Sequence, residues 1–237
     1  MTKPGTLFLI PNVIAEGTAD EVILPGVKQV IKGIQYFLAE DIRTARRFVS
    51  SLKVFDSVEA LQFSVLNKDT DAAELNNLLK PLINGNDMGI ITESGCPGVA
   101  DPGALAVAFA QQKNIRVVPL VGPSSLLLAL MGSGLNGQQF SFHGYLPVQR
   151  ADREKAIADY EKDSRKKGVT QIFIETPYRN NQVFESFLHT LAGDTLLCVA
   201  VDITGPAESI KTRKVSEWKK HKTEWPKLPA VFLFLAR

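Results

Sequence analysis

Residues 92–103 read TESGCPGVADPG and lie between two segments of different character. The apolar run Met88–Ile91 comes directly before them, and the helical pattern Ala104–Lys113 comes directly after them. A loop rich in glycine and proline between a buried strand and a helix is where open α/β sheets bind their ligands. The loop has neither the lysine of a Walker phosphate loop nor the glycine fingerprint of a dinucleotide site. We therefore expect a ligand that is not held by its phosphates alone.

The rest of the chain predicts an α/β fold with two α/β domains. Short apolar runs alternate with helical patterns as far as Pro119, which is typical of a mostly parallel sheet covered by helices. Beyond it, three strand-like runs follow one another without helices: Leu196–Ile203, Ser209–Val215 and Ala230–Leu235. Consecutive strands indicate a mixed or antiparallel second sheet. The expected domains are residues 1–118 and 119–237.

The composition is typical of a soluble globular protein, with 45% hydrophobic and 22% charged residues. Two distant cysteines, Cys96 and Cys198, argue against a disulfide framework or a cysteine zinc site and favour a reducing compartment. Val117–Gln149 carries no formal charge if its histidine is neutral, but prolines and glycines divide it into pieces too short for a bilayer. We expect a cytoplasmic protein with no signal peptide, no membrane partner and no metal.

The basic residues are unevenly distributed, although the net charge is only +2. Residues 141–237 carry 16 Lys and Arg against 12 Asp and Glu, and Lys211–Lys227 carries seven against two. Such a surface either faces a polyanion or is a solvated, lysine-rich edge. The charge pattern leaves both interpretations open.

Charged clusters follow two predicted strands. Glu40, Asp41 and Arg43 follow the first, and Glu175 and Arg179 follow the second. Charged groups at the carboxyl end of a strand are well placed to bind a ligand or act as a general base. Acidic residues in the first turn of a helix also simply complement the helix dipole. Two clusters in two predicted domains nevertheless indicate a cleft between the domains.

Backbone groups are the other candidate binding elements. The glycines of the 92–103 loop expose N–H and C=O groups with little side-chain obstruction. Ser124 and Ser125 begin a predicted helix, whose free N–H groups attract a carboxylate. An adenosine with an amino-acid tail fits both features, although composition and spacing alone do not select it.

A set of motifs, taken in order, carries a resemblance to a known family. The chain resembles the tetrapyrrole-methylase superfamily of S-adenosylmethionine (SAM) enzymes, and most closely its bacterial branch of ribosomal small-subunit 2′-O-ribose (cytidine) methyltransferases. The resemblance implies SAM binding in a cleft between two α/β domains, a ribosomal RNA acceptor in the small subunit and a homodimer. The runs that carry it are LFLIPNVIAEG, AEDIRTARRF, ITESGCPGVADPG, IRVVPLVGPSSLLLALMGSGL, FSFHGYLP and IFIETPYR.

Site residues follow from the same resemblance. The motif E-D-T-R on the acceptor side is matched by the candidate catalytic residues Glu40, Asp41 and Arg43. The motif E-A-P-H-R is matched by Glu175, Pro177 and Arg179. The positions implied to bind SAM are Ile10, Pro11, Glu93, Ser94, Gly95, Cys96, Val99, Ser124, Ser125 and Glu175.

Departures from the family pattern lie mostly on the acceptor side. Tyr178 replaces the histidine before Arg179, Val201–Gly205 replaces R-E-L-T-K, and the histidines of a segment near Leu66–Lys68 are missing. In the expected reaction, a carboxylate helps a ribose hydroxyl to attack the SAM methyl group. The alternatives are a corrinoid or porphyrin methylase, another small-molecule or protein methylase, and a non-catalytic SAM- or RNA-binding module.

Overall fold

The computed structural model describes residues 3–221 and 223–237, so Lys222 of the basic segment lies outside the described residues. The chain divides into two compact units, one ending at Ser124 and the other beginning at Ser125. This division lies six residues beyond the boundary expected from the sequence. Residues 119–124 stay with the first unit because the Leu120 N–H donates to the Leu9 carbonyl at 3.0 Å and the Cys96 thiol donates to the Pro123 carbonyl at 3.4 Å.

The first unit is built on a five-stranded sheet in the order β3-β2-β4-β1-β5, in which every pair is parallel. This confirms the predicted parallel sheet. Helices pack on it through two apolar clusters. Its elements are β1 (Leu7–Ile10), α1 (Ala19–Val22), α2 (Pro25–Lys32), β2 (Tyr36–Ala39), α3 (Ile42–Ser51), β3 (Gln62–Val65), α4 (Ala72–Leu78), α5 (Lys80–Ile83), β4 (Met88–Ile91), α6 (Gly103–Gln112) and β5 (Val117–Pro119).

Prolines divide helices that look continuous in the sequence. Pro25 starts α2, so the apolar pattern from Val22 to Lys32 forms parts of two helices. The helical sequence pattern from Ala73 to Asn84 is likewise interrupted at Leu79, and Pro81 lies in the first turn of α5. The edge strand β3 was missed, because Gln62–Val65 has no fully buried residue and so lacks a strong apolar signal.

The second unit contains a mixed sheet in the order β6-β7-β10-β8-β9. Its β6–β7 pair is parallel and the other pairs are antiparallel, which confirms the predicted mixed sheet. Phenylalanines and tryptophans dominate its core. Its elements are α7 (Ser125–Ser133), β6 (Phe140–Phe142), α8 (Arg150–Lys167), β7 (Thr170–Glu175), α9 (Asn180–Thr190), β8 (Leu196–Val201), β9 (Ser209–Lys214), α10 (Val215–Trp218) and β10 (Ala230–Leu235).

Parallel pairing aligns the carboxyl ends of the first sheet. Ile10 of β1 and Ala39 of β2 are both in register with Ile91 of β4, so three loops leave the sheet at one edge. Ligands of open α/β sheets bind at such an edge. No helix within residues 3–221 and 223–237 is long and apolar enough to cross a membrane.

Candidate functional site

The carboxyl edge of the first sheet brings together most of the site residues predicted in the first unit. β1 ends at Ile10, followed by the buried Pro11, and β2 ends at Ala39, followed by the exposed Glu40. β4 lies between these two strands and continues into the loop that starts at Glu93. Adjacent strands thus deliver the predicted cofactor loop and the predicted catalytic cluster to one edge.

The loop after β4 has an unusual backbone. Gly95, Gly98 and Ala100 all have positive φ, at 70°, 82° and 54°. Residues with a Cβ atom rarely adopt positive φ. Glycine adopts it readily, so the two glycines let the chain turn sharply twice within a few residues. Asp101 holds the turns together, because its Oδ1 accepts the N–H groups of Gly98 at 2.9 Å and Gly103 at 2.8 Å.

The start of α6 differs from the sequence interpretation. Asp101 and Pro102 predicted a carboxylate N-cap followed by proline at the first helical position. The helix instead begins at Gly103, with Pro102 in the N-cap position and without a side-chain cap. The helix therefore starts one residue later than predicted, and the Asp101 carboxylate accepts the N–H groups of Gly98 and Gly103 instead.

Asn12 is a residue whose role the sequence did not reveal. It is 3% exposed, and its amide nitrogen donates to the carbonyls of Thr92 at 2.9 Å and Glu93 at 3.3 Å. Its backbone N–H donates to the carbonyl of Gly95 at 2.9 Å. Asn12 therefore fixes the loop after β4 to the end of β1. A polar residue two positions after an apolar strand was the available signal, but its partners lie some 80 residues away in sequence.

Residues 120–124, which follow β5, pack against the loops that follow β1 and β4. A Cβ at Gly122 would lie 2.1 Å from the Pro11 Cβ, so only glycine allows this approach. The half-buried Cys96 contributes a thiol whose pKa is raised by burial. A thiol with a raised pKa is a poor nucleophile, which favours a packing role for Cys96.

The carboxylates at this edge differ in their electrostatics. Glu40 as a residue is exposed, but partial desolvation of its carboxyl raises its pKa, and the charges of Asp101 and Glu93 raise it further. Burial likewise raises the pKa of Glu93, with contributions from Asp41 and Asp101. The pKa of Asp41 is lowered, because its Oδ1 accepts the backbone N–H of Thr44 at 2.7 Å. Glu40 is therefore the stronger base at the end of β2, and Asp41 is the N-cap of α3.

The other predicted residues of the first unit differ in exposure. Ser94 and Arg43 are exposed, and the Arg43 side chain forms no ion pair with the described residues. Val99 is 50% exposed and offers an apolar surface beside the turns at Gly98 and Ala100. The half-buried Ser124 ends the first unit.

Two predicted cofactor residues belong to the second unit. Ser125 is the first residue of α7, where helix N–H groups lack helical partners. Glu175 ends β7 with a side chain that is 1% exposed, and it accepts the Thr176 N–H at 2.8 Å. Its other oxygen lies 3.3 Å from Arg179, which also donates to the carbonyls of Leu146 and Pro147.

Arg153, also in the second unit, binds the same backbone segment as Arg179. This buried side chain donates to the Ser186 hydroxyl at 2.9 Å and to the carbonyls of Pro147 at 3.2 Å and Val148 at 2.7 Å. Burial lowers its pKa, and so does the nearby charge of Arg179. Two arginines thus hold the segment 146–148 by its backbone. Within the described residues, no three His, Cys, Asp or Glu side chains group closely enough to hold a metal ion.

Comparison with known proteins assigns the chain to a family, although no family model matches it. Ribosomal RNA small subunit methyltransferase I of Streptococcus pyogenes serotype M6 is 30% identical over 222 residues, which cover 94% of this chain and 73% of that protein. The chain belongs to the ribosomal RNA small subunit methyltransferase I family.

Proteins of the same name from other bacteria are similar over comparable lengths. The Xylella fastidiosa protein is 28% identical over 89% of this chain and 72% of its own length. The Vibrio cholerae protein is 26% identical over 89% of this chain and 69% of its own length. These similarities confirm the resemblance identified from the motifs.

Proposed function

We propose that this chain is a SAM-dependent methyltransferase that methylates a ribose 2′-hydroxyl in small-subunit ribosomal RNA. The observation that carries the proposal is the similarity, over nearly the whole chain, to relatives that are named ribosomal RNA small subunit methyltransferase I. We further propose that it works as a homodimer, as the family resemblance implies, and in the cytoplasm, as its two distant cysteines favour a reducing compartment.

The loop after β4 suits a ligand of this kind. Gly95 and Gly98 turn the backbone at positive φ without adding side chains, and Val99 adds an apolar surface next to them. We assign Ile10, Pro11, Glu93, Ser94, Gly95, Cys96 and Val99 to this binding region, with Ser124, Ser125 and Glu175 as further candidates. When bound, SAM supplies an electrophilic methyl group.

The acceptor side is assigned to the end of β2. Glu40 accepts the proton of the ribose hydroxyl as the oxygen attacks, because its raised pKa makes it a better base than Asp41. Asp41 caps the first turn of α3 and so helps to position Glu40 before it and Arg43 after it. Arg43 lies on that turn with an exposed guanidinium, which suits a contact to an RNA phosphate.

SAM binding tests the cofactor assignment. Gly95→Ala places a side chain at φ 70°, and Gly168→Ala places one at φ 68°, where a Cβ meets nothing within 4 Å. Both variants place a side chain at nearly the same positive φ, but only Gly95 lies in the proposed loop. We expect one SAM per chain by calorimetry, about tenfold weaker binding in Gly95→Ala and wild-type binding in Gly168→Ala. Equal affinities in all three proteins would contradict the assignment.

A further inference from the structure

The second unit contains a groove of about 1040 Å³ whose lining residues all follow Gln149 in the chain. One wall is formed by α9, and the other is formed by Trp218 at the end of α10 and by residues 219–221 and 223–224 after it. Phe184, Leu188 and Trp218 supply its apolar lining, and Arg150, Lys219 and Lys220 supply cationic groups. None of the candidate site residues lines it.

Two tryptophans anchor the segment that carries the lysines. Trp218 and Trp225 are 1% and 8% exposed, and each packs edge-on against Phe184 at 5.5 Å between ring centroids. Asn181 adds a two-point backbone clamp, donating to the Trp225 carbonyl at 3.1 Å and accepting the Trp225 N–H at 2.8 Å. Buried aromatic anchors therefore flank the described residues 219–221 and 223–224, which lie beside α9.

The groove lining also contains the carboxylates Glu185 and Glu224, but within the described residues neither of them forms an ion pair with a lysine of the groove. Arg150 pairs with Glu154 at 2.7 Å, and the same carboxylate lies 3.4 Å from His189. Lys219 and Lys220 are exposed and form no ion pair with any described residue. A second cavity of about 360 Å³ shares Trp218 and has Lys211 and Arg213 in its lining.

We propose that the groove between α9 and residues 219–221 and 223–224 binds the phosphate backbone of the RNA acceptor. This inference rests on the proposed function and locates a contact surface for that substrate. The positive charges of the exposed lysines complement the negative charges of phosphate oxygens. Because the tryptophans already anchor the backbone next to these lysines, little conformational entropy is lost on binding. Trp218 is too buried to stack on a base, so the groove recognises backbone and shape rather than sequence.

The test compares two double variants with the same change in net charge. Lys219→Gln/Lys220→Gln alters the groove, whereas Lys166→Gln/Lys167→Gln alters the last turn of α8, four turns beyond Arg150. The probe is an in vitro transcript of small-subunit ribosomal RNA, with Kd measured by filter binding at several KCl concentrations. For the groove variant, we expect about tenfold weaker binding at 0.1 M KCl and a log–log salt slope shallower by about 1.4 to 1.8. The control variant keeps the wild-type slope, and calorimetric SAM binding is unchanged in both.

The outcomes separate this inference from the proposed function. If the wild-type protein binds and methylates the transcript, but the groove variant keeps its affinity and slope, the groove is not the contact surface. An equal loss in both variants would indicate a general charge effect and would also overturn the inference. If the wild-type protein neither binds nor methylates this RNA, the proposed function itself fails, and the inference fails with it.

Discussion

Two strand ends in this protein carry similar charged clusters, and the two units use them differently. At the end of β2, Glu40 and Arg43 are exposed and form no ion pair with the described residues. At the end of β7, the Glu175 carboxylate is buried against Arg179, whose guanidinium also binds the carbonyls of Leu146 and Pro147. The side chains at the end of β2 are therefore free to contact a substrate, whereas those at the end of β7 hold the backbone of Leu146 and Pro147 in place. Internal partners, rather than residue type, distinguish the two.

The largest effect is expected from removing the proposed base. Glu40→Gln should reduce kcat for RNA methylation by about 10²- to 10³-fold while leaving the SAM Kd unchanged. The folded protein raises the pKa of Glu40, so its ionised form is disfavoured on folding, and this penalty is present above both pKa values. At pH 7.5 the variant should therefore be at least as thermostable as the wild type. Retained activity in a folded Glu40→Gln protein would exclude Glu40 as the base.

The comparison between the two arginines predicts opposite results for stability and catalysis. Arg179→Ala leaves the buried Glu175 carboxylate without its ion pair and should lower the free energy of unfolding by about 3 kcal/mol. Arg43→Ala should change it by less than about 0.5 kcal/mol and instead raise KM for RNA. Urea unfolding and steady-state kinetics measure the two effects. Similar stability losses in both variants would remove the distinction between the clusters.

Restoring neutrality sharpens this test. The double variant Glu175→Gln/Arg179→Met removes both charges and should be more stable than Arg179→Ala alone, because no unpaired carboxylate remains buried. A double variant as unstable as the single variant would show that the carbonyl contacts of Arg179, rather than its charge, hold segment 146–148 in place.

The smallest predicted effect is a change in pH dependence. Methylation requires ionised Glu40, so the rate falls as the pH drops through the Glu40 pKa, which lies above its usual value. Part of that increase comes from the charge of Glu93. Glu93→Gln removes this charge, lowers the Glu40 pKa and should move the acidic limb of the kcat profile to lower pH. A limb that does not move, or moves to higher pH, would contradict the coupling.

Local patterns predicted the strands and helices better than they predicted the site. The sequence patterns of helix Ile42–Ser51 and strands Thr170–Glu175 and Ala230–Leu235 have the same bounds as α3, β7 and β10 in the structure, because each run carries a strong pattern of its own. Strand β3 and helix α10 are short, with four residues each, and neither stands out locally.

The roles of individual site residues depend on contacts that are distant in sequence. Asn12 reaches Thr92, and Arg179 reaches Leu146, across 80 and 33 residues. No pattern within a single segment encodes such a pairing. The sequence therefore indicated which strand ends carry candidate residues, but it could not separate the proposed base Glu40 from Asp41, which caps α3.

The most direct test uses SAM with a deuterated methyl group and small-subunit ribosomal RNA from a strain that lacks this protein. After incubation with the purified protein, the RNA is digested to nucleosides and analysed by mass spectrometry. We predict that the CD₃ group appears on the ribose of a 2′-O-methylated nucleoside, and that the signal is lost with Glu40→Gln. Label on a base, or no label in RNA despite bound SAM, would contradict the proposed ribose methylation.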